Sequence, residues 1–347
     1  MFMSFSDTTP GLSLSIPAAT PFISVIIPNH NGEKTIGLCL EAAYNSTFNN
    51  FEIIVIDDCS ADGSTSIIDQ YPCRLIRLSE HGGASKARNT GAQNSRGDVL
   101  FFIDADCLLQ PDTLTKAASA YMENGQEVVI GGTYTCQPYD QNFFSTFQSV
   151  YIHSSETKTL ENPDYIATHA MLIPVDLFKK SGGFKEDFMP ILEDVEYSHR
   201  LKKMGYRMCM DPTLQVQHIF NFTLIKSLRN GIRKTKYWSI YSIKNKDLLS
   251  DSGTASQELK LNVLSCFINL ILVLVGLLLN SWLIAIPALL LYCANLYLNR
   301  RLIMAFYKTD GPYFAFLAVL YYTLIYPFAV GIGAFSGIFS QHFGFTP

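Results

Sequence analysis

The first two thirds of the chain alternate short apolar runs with stretches of helical composition. Runs rich in β-branched and aromatic residues predict strands at residues 22–28, 51–57, 73–78, 98–104 and 127–134. Between them, residues 34–46 and 83–94 have the composition of helices. Alternation of this kind is typical of an α/β fold in which helices cover a mostly parallel sheet.

The last third of the chain has a different pattern, with three long apolar stretches in succession. They cover residues 261–279, 282–298 and 313–335, and none contains Lys, Arg, Asp or Glu. Each is about as long as the ~20 residues that a membrane-spanning helix needs. Buried core helices are the alternative. Three uncharged stretches in a row favour a membrane region over residues 259–347 with about three transmembrane helices.

Positive charge decides the expected orientation of this region. Arg300, Arg301 and Lys308 lie between the second and third apolar stretches, whereas the short connection between the first and second has no Lys or Arg. By the positive-inside rule the basic loop is cytoplasmic. We therefore expect a multi-pass protein of the cell (inner or plasma) membrane with its first domain in the cytoplasm. Residues 222–258 predict a basic segment lying on the anionic membrane surface, with an ordinary solvated helix as the alternative.

Composition adds few constraints. The chain has 347 residues and a net charge of −4, which gives no reason to expect a nucleic-acid partner. Its eight cysteines form no C-x-x-C pair, which favours buried thiols in a reducing compartment over a disulfide or zinc framework. Residues 1–21, rich in Ser, Thr and Pro, predict a flexible tail rather than a secretory signal. Neither a G-x-G-x-x-G nor a P-loop motif is present to support a dinucleotide or P-loop site.

Polar residues follow three of the predicted strands at the point where each strand ends. Pro28 and Asn29 end the first strand, Asp58 follows the second, and Asp104 and Asp106 end the fourth. In α/β sheets ligands bind beyond the carboxyl ends of the strands. Asp104 and Asp106 place two anions close together, an arrangement that a hard divalent cation stabilises. The alternative is a pair of solvated carboxylates in a turn.

Five segments occur in an order that is more specific than any one of them. They are ISVIIPNHNGEKTI, EIIVIDDCSADGS, HGGASKARNTGA, DVLFFIDADC and GGFKEDFMPILEDVEYSHRLKKMGYRM. This series resembles the successive motifs of family 2 glycosyltransferases and extends from Phe22 to about His218. The resemblance implies a GT-A fold, the Rossmann-like fold of nucleotide-diphospho-sugar transferases, over residues 22–221. It also implies a nucleotide-sugar donor.

The resemblance implies which residues hold a metal. Mg²⁺ or Mn²⁺ would bind Asp106 directly, Asp104 would lie nearer the ribose or a metal-bound water, and His218 would complete the site. Such a cation neutralises the charge that grows on a diphosphate leaving group. For His218 the alternative of a purely structural histidine stays open.

The residues around the donor nucleotide are implied in the same way. Asp58 would accept a hydrogen bond from the base, and Arg88 would contact the nucleotide beside a Gly-rich turn. The remaining donor-binding candidates are Pro28, Asn29, Glu33, Lys86 and Asp104. The alternatives are a helix N-cap for Asp58 and solvated cations for Lys86 and Arg88. His30 occupies a place where the family often has an aromatic residue, which is a departure from its pattern.

The last motif carries the residue expected to act on the acceptor. The resemblance implies that Asp194 is the general base, which takes the proton of the acceptor hydroxyl, and that the anomeric carbon is inverted. Glu193, with Gly183 and Phe184 of the preceding turn, would shape the acceptor pocket. The alternative is the acidic first turn of an ordinary amphipathic helix.

Taken together, these features predict a membrane-anchored, metal-dependent glycosyltransferase with a lipid-linked or membrane-proximal glycan as acceptor. No Q-x-x-R-W motif, which related processive synthases use to hold a polymer, is present, so transfer of a single sugar is expected. Two alternatives stay open. One is a polyprenyl-phosphate sugar transferase, and the other is a catalytically silent membrane protein that binds nucleotide sugars.

Overall fold

The computed structural model describes residues 20–342, and the first part of this range contains one eight-stranded sheet. The strands are Ile23–Asn29 (β1), Phe51–Asp57 (β2), Arg74–Arg77 (β3), Val99–Phe102 (β4), Cys107–Leu109 (β5), Val128–Tyr134 (β6), Met171–Pro174 (β7) and Arg207–His218 (β8). All five predicted strands are present, with ends shifted by at most two residues. The predicted tail falls almost wholly at residues 1–19, outside the described residues.

The sheet is mixed, and four of its seven strand pairings are parallel. Its strand order is β3-β2-β1-β4-β7-β6-β8-β5. Strands β1 to β4 form a parallel set, and β6 also runs parallel to β8. The three antiparallel pairings, β4 with β7, β6 with β7 and β5 with β8, all include one of the two short strands β5 and β7.

Seven helices accompany the sheet. They are Ile36–Tyr44 (α1), Ser64–Ile68 (α2), Gly83–Gln93 (α3), Thr113–Asn124 (α4), Phe143–Glu156 (α5), Val175–Ser181 (α6) and Glu193–Lys203 (α7). Successive residues of β1 enter different cores: Val25 and Ile27 pack in the cluster that includes α1, α4 and α5, and Ile26 packs in the cluster that includes α3, α6 and α7. This alternation, expected for a strand, explains why both faces of β1 are apolar.

The rest of the described chain is helical. The helices are Leu224–Asn245 (α8), Gln257–Leu278 (α9), Ala285–Leu298 (α10), Arg300–Leu320 (α11) and Tyr326–His342 (α12), with a π-helical turn at Tyr321–Ile325. The basic segment predicted before the first apolar stretch is therefore the 22-residue helix α8. Inside α11 the backbone breaks at Asp310 and Gly311, just before Pro312.

Two of these helical segments are long and apolar enough to cross a membrane. They are Gln257–Leu278 and the continuous segment Arg300–His342, whereas Trp282–Leu298 has the same composition but is shorter. In the most apolar 18-residue stretch of Gln257–Leu278, only 11% is buried. Arg300 to Lys308, predicted to be a loop, are helical up to the break at Asp310.

The sheet domain and the C-terminal helices share one apolar core. Phe147 of α5 stacks on Phe306 with ring centroids 5.3 Å apart and meets Tyr321 edge-on at 4.8 Å. Tyr151, one turn later, contacts the rings of Tyr322 and Tyr326. These side chains belong to the same buried cluster as β1, so the two parts of the chain are packed together as one body.

A buried polar network joins α9, α10 and the π-helical turn. Asn262 donates from Nδ2 to the carbonyl oxygen of Tyr322 at 2.8 Å and accepts from Asn295 at 2.8 Å. Tyr322 donates its hydroxyl to Asn299 at 3.1 Å. A π-helical turn leaves carbonyl groups without their regular α-helical partners, and Asn262 satisfies one of them.

Helix α8 packs against α12 at glycines. A Cβ atom placed on Gly333 would lie 2.5 Å from the carbonyl oxygen of Ile232, and one on Gly337 would lie 2.5 Å from that of Lys236. The two backbones therefore approach so closely that no larger residue fits at these positions. This contact fixes α8, which directly follows the sheet domain, onto the last apolar helix.

Candidate active site

The carboxyl ends of β1, β2 and β4 meet at one edge of the sheet, because the three strands are parallel neighbours. Asn29, Asp58, Asp104 and Asp106 all lie at this edge, as predicted. Strand β8, which is parallel to β6, ends there as well, since His218 pairs with Cys107 of β5. One edge of the sheet thus gathers most of the candidate residues.

Asp58 has a different set of partners from the one expected. Its two carboxylate oxygens accept hydrogen bonds from the backbone N–H groups of Gly82 and Gly83, at 2.7 and 2.8 Å. The side chain is 3% exposed. Gly83 has a φ of +79°, a conformation that glycine adopts without strain, and it begins α3. Asp58 therefore anchors the start of α3 to the end of β2 and uses both oxygens to do so.

Two exposed histidines lie beside Asp58. His81 Nδ1 is 3.0 Å from the Asp58 carboxylate, and His30 Nδ1 is 2.6 Å from the Asp58 carbonyl oxygen. Their ring centroids are 4.5 Å apart. The imidazole of His30 thus occupies the place at which an aromatic residue was expected. His81 was not predicted, because a lone histidine between strands carries no periodic signal.

The loop after β1 is held by side-chain hydrogen bonds. The side-chain amide of Asn29 donates from Nδ2 to Asp57 at 2.9 Å. Its side-chain oxygen Oδ1 is buried without a partner among the described residues. Glu33 accepts from the backbone N–H of Gly63, and Asp62 accepts from that of Ser64 at the start of α2. Asp62 thus fills the capping role that was the alternative for Asp58. Pro28 lies in β1, partly exposed.

Arg88 is the link between two motifs. Its guanidinium lies 2.7 Å from a carboxylate oxygen of Asp104 and 2.7 Å from one of Glu193, and the residue is 3% exposed. Burial would lower the pKa of Arg88, but the two carboxylates raise it above its ordinary value. Arg88 was predicted to contact the nucleotide, and here it is engaged by protein carboxylates. Lys86, by contrast, forms an exposed ion pair with Glu80 at 3.0 Å.

The two carboxylates after β4 differ in charge environment. Burial would raise the pKa of Asp104, but Arg88 and the nearby histidines hold it below its ordinary value. Partial burial raises the pKa of Asp106; His218 opposes this effect and Asp104 adds to it. Asp104 is therefore paired inside the protein, whereas Asp106 faces a neighbouring anion without a cation of its own.

Asp106 and His218 lie in positions that suit a shared cation. His218 Nε2 is 3.6 Å from Asp106 Oδ2, which is longer than a hydrogen bond and compatible with two atoms bound to one ion. Burial lowers the pKa of His218, which favours the neutral imidazole that ligates metals. Cys107 offers a third atom within 4.8 Å, but burial keeps its thiol pKa well above the ordinary value. Carboxylate and imidazole donors therefore fit a divalent cation here.

A buried aromatic group supports His218. Its ring stacks on Phe220 with centroids 3.9 Å apart and meets Tyr134 edge-on at 5.0 Å. Tyr134 in turn stacks on His169, whose Nε2 lies 3.4 Å from Glu156. No sequence pattern indicates His169, which is 6% exposed and lies in a three-residue 3₁₀ turn.

Asp194 begins α7 next to Glu193. The residue before them, Leu192, has a φ of +75°, a left-handed conformation that is strained for a branched side chain. Burial and the charge of Glu193 raise the pKa of Asp194 to about 7, although Arg88 and Lys234 oppose the shift. A carboxyl group with this pKa exchanges its proton near neutral pH, as a general base must.

The two other residues expected in the acceptor pocket lie in the turn before α7. Gly183 has a φ of +64°, and its carbonyl oxygen accepts a hydrogen bond from Arg200 at 2.5 Å. Phe184 is 2% exposed and packs against Phe102 and Tyr197. Its ring thus supports the turn from inside the core and offers almost no surface to a ligand.

Comparison with known proteins agrees with this geometry. Residues 24–181 match the sequence model of Glycosyl transferase family 2. The chain contains a family 2 glycosyltransferase domain. The matched range includes Asp58, Arg88, Asp104 and Asp106, and it ends before Asp194 and His218. The placement of these last two residues rests on the structure.

Several curated relatives resemble this chain. An uncharacterized glycosyltransferase of Haemophilus influenzae is 28% identical over 52% of the chain and 61% of its own length. Glycosyltransferase GlyG of Streptococcus pneumoniae is 31% identical over 35% of the chain and 42% of its own length. Glycosyltransferase AglE of Haloferax volcanii is 27% identical over 63% of the chain and 75% of its own length. The chain thus spans less than two thirds of the first two.

A solved structure extends the likeness to the fold. The mannosyltransferase PcManGT of Pyrobaculum calidifontis, solved with GDP-Man and Mn²⁺, aligns with a TM-score of 0.57 at 17% identity. The alignment covers 94% of this chain and 89% of that one. The glycosyltransferase domain therefore has the GT-A fold expected from its motifs, and the C-terminal helices follow it.

Proposed function

We propose that the chain transfers one sugar from a nucleotide-sugar donor to a hydroxyl group of an acceptor at the membrane surface. The observation that carries this proposal is the double ion pair of Arg88 with Asp104 and Glu193. It joins the metal-binding turn after β4 to the start of α7. The residue expected to bind the donor and the residue expected to activate the acceptor thus border one space.

Asp106 and His218 would hold Mg²⁺ or Mn²⁺, and Asp104 would lie beside them. The cation supplies a positive charge that stabilises the departing nucleoside diphosphate. Burial and the neighbouring charge of Asp104 raise the pKa of Asp106 although His218 opposes them, so a cation bound here would stabilise its carboxylate. The nucleoside would bind at the same edge of the sheet. The residues available to it there are Pro28, Asn29 and Glu33 of the loop after β1 and the imidazoles of His30 and His81.

Asp194 is the proposed general base. The acceptor oxygen forms a bond to the anomeric carbon while the bond from that carbon to the diphosphate oxygen breaks, and the hydroxyl proton passes to Asp194. Direct displacement of this kind inverts the anomeric carbon. The pKa of Asp194, about 7, supports this role, because an ordinary aspartate is a much weaker base at neutral pH.

The exposed apolar helices support a location at the membrane. Leu277 and Leu278 of α9 are 74% and 84% exposed, and Phe335 of α12 is 71% exposed. Contiguous apolar surface of this size is rare on soluble monomers. Arg301 donates to the backbone carbonyl oxygen of Thr157, so the basic end of α11 lies on the side of the sheet domain. Under the positive-inside rule the basic end of α11 and the sheet domain both face the cytoplasm.

The acceptor proposed here is a lipid-linked or membrane-proximal glycan, and the chain adds a single sugar. Its function is tested by incubating the purified full chain with UDP-, GDP- and dTDP-sugars and measuring hydrolysis or transfer. At least one donor is expected to be consumed, and Asp194→Asn should lower turnover by about 10²–10⁴-fold. Asp176→Asn is the matched control, since Asp176 is also an acidic residue in a first helical turn but is exposed on α6.

Three outcomes would contradict the proposal. Consumption of no donor would favour the catalytically silent alternative. Near-normal turnover of Asp194→Asn would show that Asp194 is not the general base, and it would favour a phosphate acceptor, which needs no deprotonation. Loss of donor binding in the same variant would show that Asp194 acts on the donor instead.

A further inference from the structure

An apolar cavity lies where the glycosyltransferase domain meets the C-terminal helices. Its volume is about 280 Å³, and its walls come from α5, α8, α9, α12 and the loop after α8. Val330 and Ala334 form part of an apolar stripe of α12, and Trp238 of α8 lies opposite. Leu249, in the loop at the rim, is 80% exposed. The cavity therefore continues into the apolar surface that we assign to the membrane.

The polar side chains in this mainly apolar lining include two lysines and a buried glutamine. Lys234 of α8 and Lys260 of α9 both line the cavity, and no carboxylate does. Among residues 20–342, the side chain of Lys234 forms no hydrogen bond or ion pair, and its charge acts on Asp194 and His218 from a longer distance. Gln148 is 2% exposed, and its carbonyl oxygen has no hydrogen-bond partner among the described residues. A ligand that fits these walls is long, apolar and anionic, and it carries a hydrogen-bond donor.

The cavity and the proposed active site are neighbours. Lys234 is close enough to Asp194 for its charge to lower the pKa of that carboxyl, against burial and Glu193, which raise it. A second connection runs through Tyr165, which contacts Trp238 with ring centroids 5.8 Å apart and whose raised pKa, caused mainly by burial, also reflects the charge of Asp194. A phosphate group held by Lys234 would therefore leave the polar end of its ligand near Asp194.

We propose that this cavity binds the acceptor lipid: its apolar chain lies along α12, its phosphate or diphosphate pairs with Lys234, and its polar end points to Asp194. The inference rests on the proposed function, and it names the acceptor as a glycan carried on a lipid phosphate rather than a free glycan. A volume of 280 Å³ is at the low end for ligand sites. It holds the part of the chain next to the phosphate, and the remainder lies along the exposed helices.

Binding is tested with simple probes and without any sugar donor. The chain has two tryptophans, Trp238 and Trp282, so Trp282→Phe leaves Trp238 in the cavity wall as the single fluorescent reporter. The full chain in detergent micelles is titrated with farnesyl diphosphate, with farnesol and with inorganic diphosphate. EDTA is present throughout, so that a cation at Asp106 does not recruit the diphosphate. Farnesyl diphosphate is expected to bind more tightly than either of the other two probes.

Variants test which residues contact the charged part of the ligand and which contact its apolar part. Lys234→Gln should weaken the binding of farnesyl diphosphate by about tenfold or more, the usual contribution of a charged hydrogen bond. It should leave the affinity for farnesol unchanged. Ala334→Phe fills the cavity and should weaken both probes. Arg233→Gln is the matched control, because Arg233 is the adjacent cation on α8 and does not line the cavity.

Specific outcomes would overturn the inference. Equal losses in Lys234→Gln and Arg233→Gln would mean that the helix attracts anions without a site. Equal affinity for farnesyl diphosphate and inorganic diphosphate would mean that the apolar walls contribute nothing. Displacement of the probe by phosphatidylglycerol vesicles at similar concentration would identify an ordinary phospholipid site. Because the titration needs no turnover, each of these results would leave the donor assay above unaffected.

Discussion

The pH dependence of turnover tests the electrostatics around Asp194 most directly. A general base must be ionised, and the pKa of Asp194 is about 7. Turnover is therefore expected to rise with pH up to about 7, and to fall by about tenfold for each pH unit below it. Glu193 raises this pKa and Arg88 lowers it. Removing Glu193 should therefore move the acidic side of the pH–turnover curve, its acid limb, to lower pH, and removing Arg88 should move it to higher pH.

The size of the movement follows from the spacing of the charges. Two unit charges about 6 Å apart interact by roughly 3 kcal/mol at an effective dielectric constant of ~20. That energy corresponds to about two pH units, since one pKa unit is ~1.36 kcal/mol, and solvent near the carboxylates reduces it. We expect Glu193→Gln to shift the limb by about one unit to lower pH, and Arg88→Met by about one unit to higher pH. Arg88→Lys retains the charge and should shift it little.

The assay is turnover of the best donor at saturating concentration between pH 5 and 9, with folding checked at each pH by circular dichroism. Arg88→Met removes the partner of two carboxylates and is expected to lose about 3–5 kcal/mol of stability, so Arg88→Lys serves as its folded reference. Limbs that stay in place in all variants, or that move in the same direction in Glu193→Gln and Arg88→Met, would refute the assignment of Asp194 as the titrating base.

Three further predictions concern the metal, stability and topology. EDTA should abolish transfer and Mn²⁺ or Mg²⁺ restore it, with Asp106→Asn weakening donor binding only when metal is present; full activity in EDTA would contradict the metal site. Asp194→Asn should raise the melting temperature at pH 8, where the native carboxylate is ionised against its raised pKa, but not at pH 4; equal effects would point to a change in packing. A reporter active only in the cytoplasm should be silent after Pro347, whereas a signal would mean an even number of crossings.

The sequence predicted the parts of the fold that depend on local pattern. Each parallel strand β1 to β4 has an apolar run that ends in a polar turn, and both features are local. Strands β5 and β7 have three and four residues, too few to show alternation, so the antiparallel pairings that make the sheet mixed were missed. The break at Asp310 and Gly311 coincides with the predicted start of the third apolar stretch, because Gly before Pro is a strong breaker.

The sequence predicted that several candidate residues share one edge of the sheet, but not which contacts they make. Asp58 and Arg88 were both expected to touch the nucleotide, but each has its hydrogen-bonding groups directed to other parts of the protein. The partner of Arg88, Glu193, lies 105 residues away in the sequence. No local pattern reports such a pairing, and a single sequence offers no signal for it.

The aromatic contact between α5 and the C-terminal helices has a consequence for biosynthesis. Phe147 and Tyr151 leave the ribosome about 160 and 175 residues before Phe306 and Tyr326, respectively, which cover them. Translation at ~5–20 residues per second leaves this aromatic face open for some seconds in a nascent chain whose sheet can already pair. A chain truncated after residue 221 would keep the face open permanently and should aggregate. Packing of the last helices against α5 is thus also the step that completes the core of the sheet domain.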